Sequence, residues 1–179
     1  MISSEDNDKG RPAVVAVTYR KPQRSDGSTV HGLVKRCEPL DLNSLYSYLL
    51  LCTDFADTCV VAEADGEVVG FVSGYLKPAD PTVLFIWQVA VSPEARGLGV
   101  GKGMLREALS RPACVHVRHL DTTVTPSNAA SWALFYSLAR ERGAVCVRQP
   151  IFRAEDFGGE THEEEHLLRI GPFDEREAE

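Results

Sequence analysis

The 179-residue sequence predicts an α+β fold, a mixed central sheet flanked by helices in the order β-α-α-β-β-β-α-β-α-β-β. Three observations carry this prediction. Asp65-Gly66 joins two runs rich in β-branched residues, the strongest short-range hairpin signal. The run L-F-I-W-Q-V-A-V, residues 84–91, reads as a buried strand and is stopped by Ser92-Pro93. A glycine-dense stretch follows, then Val100, Met104, Leu105, Ala108 and Leu109 at helical spacing, so this part reads strand, glycine loop, helix.

Taken in order, residues 1–12 are polar and expected to be a disordered tail. Residues 14–20 alternate loosely and predict a first strand, and residues 29–35 a first helix after Pro22 and a D-G pair. In the next helix Leu42, Leu45, Leu49 and Cys52 share one face, capped by Asn43 or Ser44, with Asp41 in the loop just before it. Residues 58–63 and 67–76 form the hairpin, and Asp80-Pro81 is expected to turn the chain into the 84–91 strand. Residues 117–124 predict another strand. A mostly buried helix then starts at Thr125-Pro126-Ser127 and stops at Gly143. Strands over 144–152 and 167–170 bracket a polar segment, and an acidic tail covers 174–179. The domain is expected to span 13–173.

Composition narrows the function. Apolar content of 44% and charged content of 25% are those of a soluble globular protein. With 19 basic against 26 acidic residues the net charge is −7, which argues against a nucleic-acid groove and suits a cationic small substrate. Five scattered cysteines contain no C-x-x-C pair and read as reduced, mostly buried thiols. No apolar run approaches membrane-spanning length and residues 1–12 lack a signal-peptide core, so the expected location is cytoplasmic, with no membrane or nucleic-acid partner.

Glycines let backbone N–H groups converge without Cβ obstruction, and a helix N-terminus adds partial positive charge, so the loop is an anion cradle. It is not a P-loop: Arg96 stands at the first glycine's place and Gly103 replaces the hydroxyl residue that would hold magnesium. Nor is it G-x-G-x-x-G, because the count from Gly97 ends on Lys102 and from Gly99 on Met104. The pattern that fits is [QR]-x-x-G-x-[GA], as Arg96-Gly97-Leu98-Gly99-Val100-Gly101.

That pattern, after a strand ending V-A-V-S-P, resembles the acetyl-coenzyme A signature of the GCN5-related N-acetyltransferases (GNAT), whose element order is the one above. The resemblance implies a splayed central sheet. It also implies that the amides of Arg96, Gly97, Leu98, Gly99, Val100, Gly101 and Lys102 bind the coenzyme A pyrophosphate. A β-bulge before the loop would free main-chain groups of Val89, Ala90 and Val91 for the thioester and pantetheine. Asn128 matches the family's asparagine at the start of the later helix. Seven residues on, where the family has a thiolate-protonating tyrosine, stands Phe135, beside the cofactor but with no proton to give. Tyr136 is one position, about 100° of helix, out of register.

Several longer stretches, L-D-L-N-S-L-Y-S-Y-L-L-L-C, F-I-W-Q-V-A-V-S-P and E-E-E-H-L-L-R-I-G-P-F among them, are similar to the diaminobutyrate acetyltransferases of ectoine biosynthesis. This implies acetyl-coenzyme A as cosubstrate without a metal, a diamino acid acceptor and a homodimer. It places acceptor binding on Asp41, Tyr46, Trp87, His162 and Glu165, with Glu165 and Tyr46 as the catalytic pair. The residues alone leave alternatives open: an acetyltransferase of the same fold acting on another amine, a non-catalytic acyl-coenzyme A sensor, or a zinc hydrolase built on H-E-E-E-H at His162 to His166. The same segment reads on its own terms as a solvated acidic loop, or as a source of carboxylates for a substrate ammonium among Glu163, Glu164 and Glu165.

Overall fold

A computed structural model describes residues 16–158 and 162–174; the expected 1–12 tail and all of the acidic tail but Asp174 lie outside them. The element order is the predicted one: β1 (Val17–Arg20), α1 (Gly27–Lys35), α2 (Leu45–Leu51), β2 (Val60–Ala64), β3 (Glu67–Lys77), β4 (Asp80–Val91), α3 (Val100–Ser110), β5 (His119–Val124), α4 (Ala129–Arg142), β6 (Cys146–Phe152) and β7 (Glu165–Ile170). They form one sheet in the order β1-β2-β3-β4-β5-β7-β6. Only β4 and β5 run parallel. Their crossover carries α3, as parallel pairing requires.

Alternation along the strands sorts the apolar residues into two cores. Val60, Ala62, Val72, Leu84 and Ile86 face α3 and α4, packing on Val100, Met104, Leu105, Phe135 and Leu138. Val61 and Phe71 face α1 and α2, packing on Val30, Leu33, Val34, Tyr48 and Leu51. A helix layer on each face leaves the sheet as the middle of three layers.

Two irregularities in β4 shape the rest. Its pairing with β3 shifts register, with Ser73 opposite Gln88 and Gly74 opposite Ile86, so Trp87 is an extra residue, a β-bulge. One inserted residue exchanges the faces. Before the bulge the even-numbered Leu84 and Ile86 lie in the α3/α4 core; after it Val89 and Val91 pack there, while Ala90 joins the α1/α2 core. The second irregularity is a parting. Parallel pairing with β5 runs from Val83–His119 to Ile86–Thr122 and stops, while β4 continues to Val91 beside β3 and β5 to Val124 beside β7. The sheet opens there as a wedge, the splay that the resemblance implied.

Several expectations need correction. Asp80-Pro81 does not turn the chain; the turn is at Pro78–Ala79, and Pro81 sits near the start of β4, where a missing ladder donor is tolerated. The buried face of α2 is Tyr48, Leu51 and Cys52, with Leu42 44% and Leu45 43% exposed. The helix starts only at Leu45, capped by Ser44, whose Oγ accepts from the Ser47 N–H, so Leu42 is in the loop. Gly101 and Gly103 lie inside α3, not in the loop. A Cβ on Gly103 would come 2.0 Å from the Tyr19 hydroxyl, so this glycine lets β1 approach the helix closely. β7 begins at Glu165, two residues earlier than expected, which puts that carboxylate on a strand.

Candidate active site

A cleft of about 550 Å³ opens between the glycine loop, the end of β4, the start of α4 and the segment after α1. Its walls include Val89, Val91, Arg96, Gly97, Gly99, Gly101, Lys102 and Asn128. Gly97 (φ 78°) and Gly99 (φ 77°) take the left-handed backbone that glycine tolerates best, and Gly99 is the N-cap of α3. The first free N–H groups of α3 therefore face an apolar-walled hollow, the chemistry of a pyrophosphate seat. Arg96 Nε donates to the Val91 carbonyl at 3.3 Å, fastening the loop to the strand. Lys102 reaches outward to Ser137 (3.1 Å) and Glu141 (3.3 Å), so it does not play a P-loop lysine's part.

On the α4 side Asn128 caps the helix, its Oδ1 accepting from the Ser131 N–H at 3.0 Å. Leu134, Ser131 and Ser137 line the cleft, and Phe135 does not: it is 2% exposed in the α3/α4 core. One residue of helical rotation separates a wall position from a core one. Tyr136 stacks on Trp132 with ring centroids 5.8 Å apart, a packing role. Ala90 is fully buried and Leu98 is 63% exposed outside the main cleft, so any contribution they make to a ligand is by main chain. The serines and the 37–40 wall carry no motif and were not foreseen.

Across the wedge lies a second group of residues. Trp87, in the bulge, is 46% exposed. His162 Nε2 stands 3.9 Å from Asp41 Oδ2, and its ring stacks on Phe157 at 3.9 Å. The three consecutive glutamates divide. Glu163 accepts from the Ser127 N–H and hydroxyl, clamping its segment to the start of α4. Glu164 pairs with His166 Nε2 at 2.6 Å. Glu165 faces inward, with one carboxylate oxygen buried and without a hydrogen-bond partner among the described residues. Burial pushes its carboxyl above the ordinary range and the nearby Asp41 and Glu163 add to that, against the opposing influence of His162 and Thr123. Tyr46 is 68% exposed on α2, and no hydrogen bond among the described residues joins it to this group.

The histidines do not converge as H-E-x-x-H requires. That motif needs one helix face, whereas His162 precedes β7 and His166 lies on it. His166 Nδ1 accepts from Arg148 Nε at 2.7 Å and its Nε2 is engaged by Glu164, so both nitrogens are occupied. Among the described residues no group of three or more His, Cys, Asp or Glu side chains is placed to hold a metal ion.

An anion cradle at the mouth of a splayed sheet, beside a group of carboxylates, has the chemistry of an acyltransferase working on an amine. Residues 29–139 match the acetyltransferase (GNAT) family, and the chain belongs to it. Within that family its relatives include L-2,4-diaminobutyric acid acetyltransferases. The chain is 57% identical over 155 residues to that of Bordetella parapertussis, covering 86% of this chain and 83% of the relative. It is 49% identical over 155 residues to that of Halomonas elongata, covering 86% and 80%. Among solved structures it resembles the diaminobutyrate acetyltransferase EctA of Paenibacillus lautus, in complex with its substrate L-2,4-diaminobutyric acid and coenzyme A. The TM-score there is 0.87 at 43% identity, over 92% of this chain and 99% of that one.

Proposed function

We propose that this protein transfers the acetyl group of acetyl-coenzyme A to the γ-amine of L-2,4-diaminobutyrate, giving N4-acetyl-L-2,4-diaminobutyrate, a step of ectoine biosynthesis and so of osmoprotection. Glu165 carries the reading: a buried carboxylate oxygen without a partner among the described residues, beside the open wedge of the sheet, is built for an ammonium that arrives with the substrate. The relatives' activity supports it.

Acetyl-coenzyme A supplies a thioester carbonyl open to an amine nucleophile. The loop from Arg96 to Lys102 and the start of α3 would hold its pyrophosphate, with Val89 and Val91 in the wall of the same cleft, and the main chain of Val89, Ala90 and Val91 would run along its thioester arm. Asn128 shapes the far wall. Asp41, from the α1–α2 loop, and His162, from the segment before β7, hold the acceptor between them, with Trp87 beneath its aliphatic portion and Tyr46 closing over it. An alkylamine has a pKa of roughly 10 and must lose a proton to attack. Glu165, its own affinity for protons raised by burial, takes that proton directly or through water. Fixing the α-ammonium on the other carboxylate presents the γ-amine.

Attack is direct, without an acetyl-enzyme. Burial pushes the Cys52 thiol up to about 11 and the Cys59 thiol up to about 12, the reverse of what a nucleophile needs. We further infer a cytoplasmic homodimer. Five cysteines with no disulfide between them suit a reducing compartment. Edge strand β6 and its lead-in expose Val145 (62%) and Val147 (53%), with Ile151 (41%) further along at a register shift, apolar surface for a second copy to cover.

The test is purified protein with acetyl-coenzyme A and a panel of amines, following thiol release and assigning the acetylated nitrogen by NMR. Turnover of L-2,4-diaminobutyrate to the N4 product is expected. Turnover confined to a polyamine, aminoglycoside or protein amine would overturn the substrate, and a trapped acetyl-cysteine would overturn direct attack. Sedimentation of the same preparation should give twice the 19.7 kDa chain mass.

A further inference from the structure

Gln88 is the first residue past the bulge, and the exchange of faces turns its side chain into the α1/α2 side of the sheet. It is 6% exposed, a polar group in an apolar layer, so each of its hydrogen bonds needs a partner. Its Nε2 donates to the Asp41 carbonyl at 2.7 Å, and its Oε1 accepts from the Tyr48 hydroxyl at 3.2 Å. Tyr48, fully buried on α2, accepts in turn from the Asn43 N–H at 3.3 Å. On the other side of the bulge, the Gln88 N–H donates to Ser73 Oγ at 3.1 Å, occupying the ladder group that the extra residue displaces.

We propose that Gln88, with Tyr48, is a positioning residue for acetyl transfer: it fixes the Asp41 loop, which holds the acceptor, at a set distance from the bulge, which sets the course of the strand along the thioester. The amide is bound at both ends to main chain or to a rigid aromatic, so donor arm and acceptor loop move as one body. Neither side chain need touch the reacting atoms. Misplacing an acceptor by about 1 Å costs a transfer reaction on the order of 100-fold, so a strut of this kind matters to rate as well as to affinity. The inference rests on the acetyltransferase reading and on Asp41 serving the acceptor, and it holds whichever amine is the substrate.

Gln88→Met keeps length and volume while deleting the amide, and Tyr48→Phe deletes the hydroxyl alone. Steady-state kinetics use the amine that the unaltered protein acetylates fastest, so a wrong substrate assignment shows in that protein first. For either variant the acceptor KM is expected to rise about 10-fold with a lower kcat, while the acetyl-coenzyme A KM stays within about 2-fold. The double variant should be no worse than the weaker single one, because both break one chain of hydrogen bonds. An acceptor KM within 2-fold of the original, both KM values rising together, or additive losses would each overturn the proposal. If Gln88→Met fails to fold, Tyr48→Phe decides the same comparison alone.

Discussion

Glu165 works against the stability of the protein that carries it. Burial raises its carboxyl above its ordinary value, so ionising it costs the folded state more than the unfolded chain. That cost is full above the folded pKa, declines as pH falls through it and is gone below the unfolded pKa, the reverse of a salt-bridged carboxylate. Glu165→Gln should therefore leave the melting temperature at pH 8 equal to or above that of the original, while kcat falls about 100- to 1,000-fold. In the unaltered enzyme the acid limb of kcat/KM should have its midpoint above an ordinary glutamate's 4.5. A thermal shift scan and a pH–rate profile check both; a stability loss with little loss of rate would make Glu165 structural. Of the three glutamates, residue types alone say only that some would face a substrate, and it is the family resemblance that points to Glu165. The structure turns Glu165 inward by strand alternation in β7 while Ser127 and His166 hold its two neighbours, contacts that leave no trace in spacing.

At the scale of elements, what could be read early was what has a local cause. The hairpin at Asp65-Gly66, the stop at Pro93 and the helix end at Gly143 each follow from a few adjacent residues. The bulge at Trp87, which the family resemblance implied but no local pattern showed, and the roles of Gln88 and Tyr48 do not, because a register shift belongs to two strands at once. The apolar run of β4 looks the same with or without an exchange of faces. Phe135 shows the same limit from the other side: a seven-residue spacing gave its helix but not its rotation, and one step decided between cleft and core. The glycine loop is the element whose parts separate most cleanly by experiment. A Cβ on Gly99 would meet nothing within 4 Å, so Gly99→Ala suffers only from its positive φ, about 1–2 kcal/mol. The backbone can escape that strain by rotating its N–H groups out of the cradle. The acetyl-coenzyme A KM should rise about 10-fold while the acceptor KM holds, the mirror image of the Gln88 variants. Equal changes in the two constants would count against a loop dedicated to the cofactor.

Across the whole molecule, the wedge needs a fixed vertex, and Asp121 provides it. It lies on β5 opposite Phe85, next to the last paired step of the two parting strands, and its side chain is fully buried. Arg169 of β7 grips both its oxygens at 2.8 Å and Lys77 of β3 reaches it from the other arm, so one carboxylate joins the two halves of the sheet. Burial pushes its carboxyl up, and hydrogen bonds from Arg169 and Lys77 pull it down further, leaving it below the ordinary 3.8. A depressed value means stability that is fully present above the unfolded pKa and is lost as pH falls through the folded one. Asp121→Asn strips the charge while Lys77 and Arg169 still reach water, at 29% and 40% side-chain exposure. The expected loss is about 2–3 kcal/mol, toward the low end for a broken buried pair, or on the order of 5–10 °C in melting temperature. Activity at 25 °C should change little, since the residue touches neither cleft. The gap in stability between the two proteins should stay constant from pH 8 to 5 and close only below about pH 4, as the carboxylate takes up its proton. A gap that shrinks between pH 7 and 5 would show that some other group, not the ion triad at the vertex, holds the two halves of the sheet together.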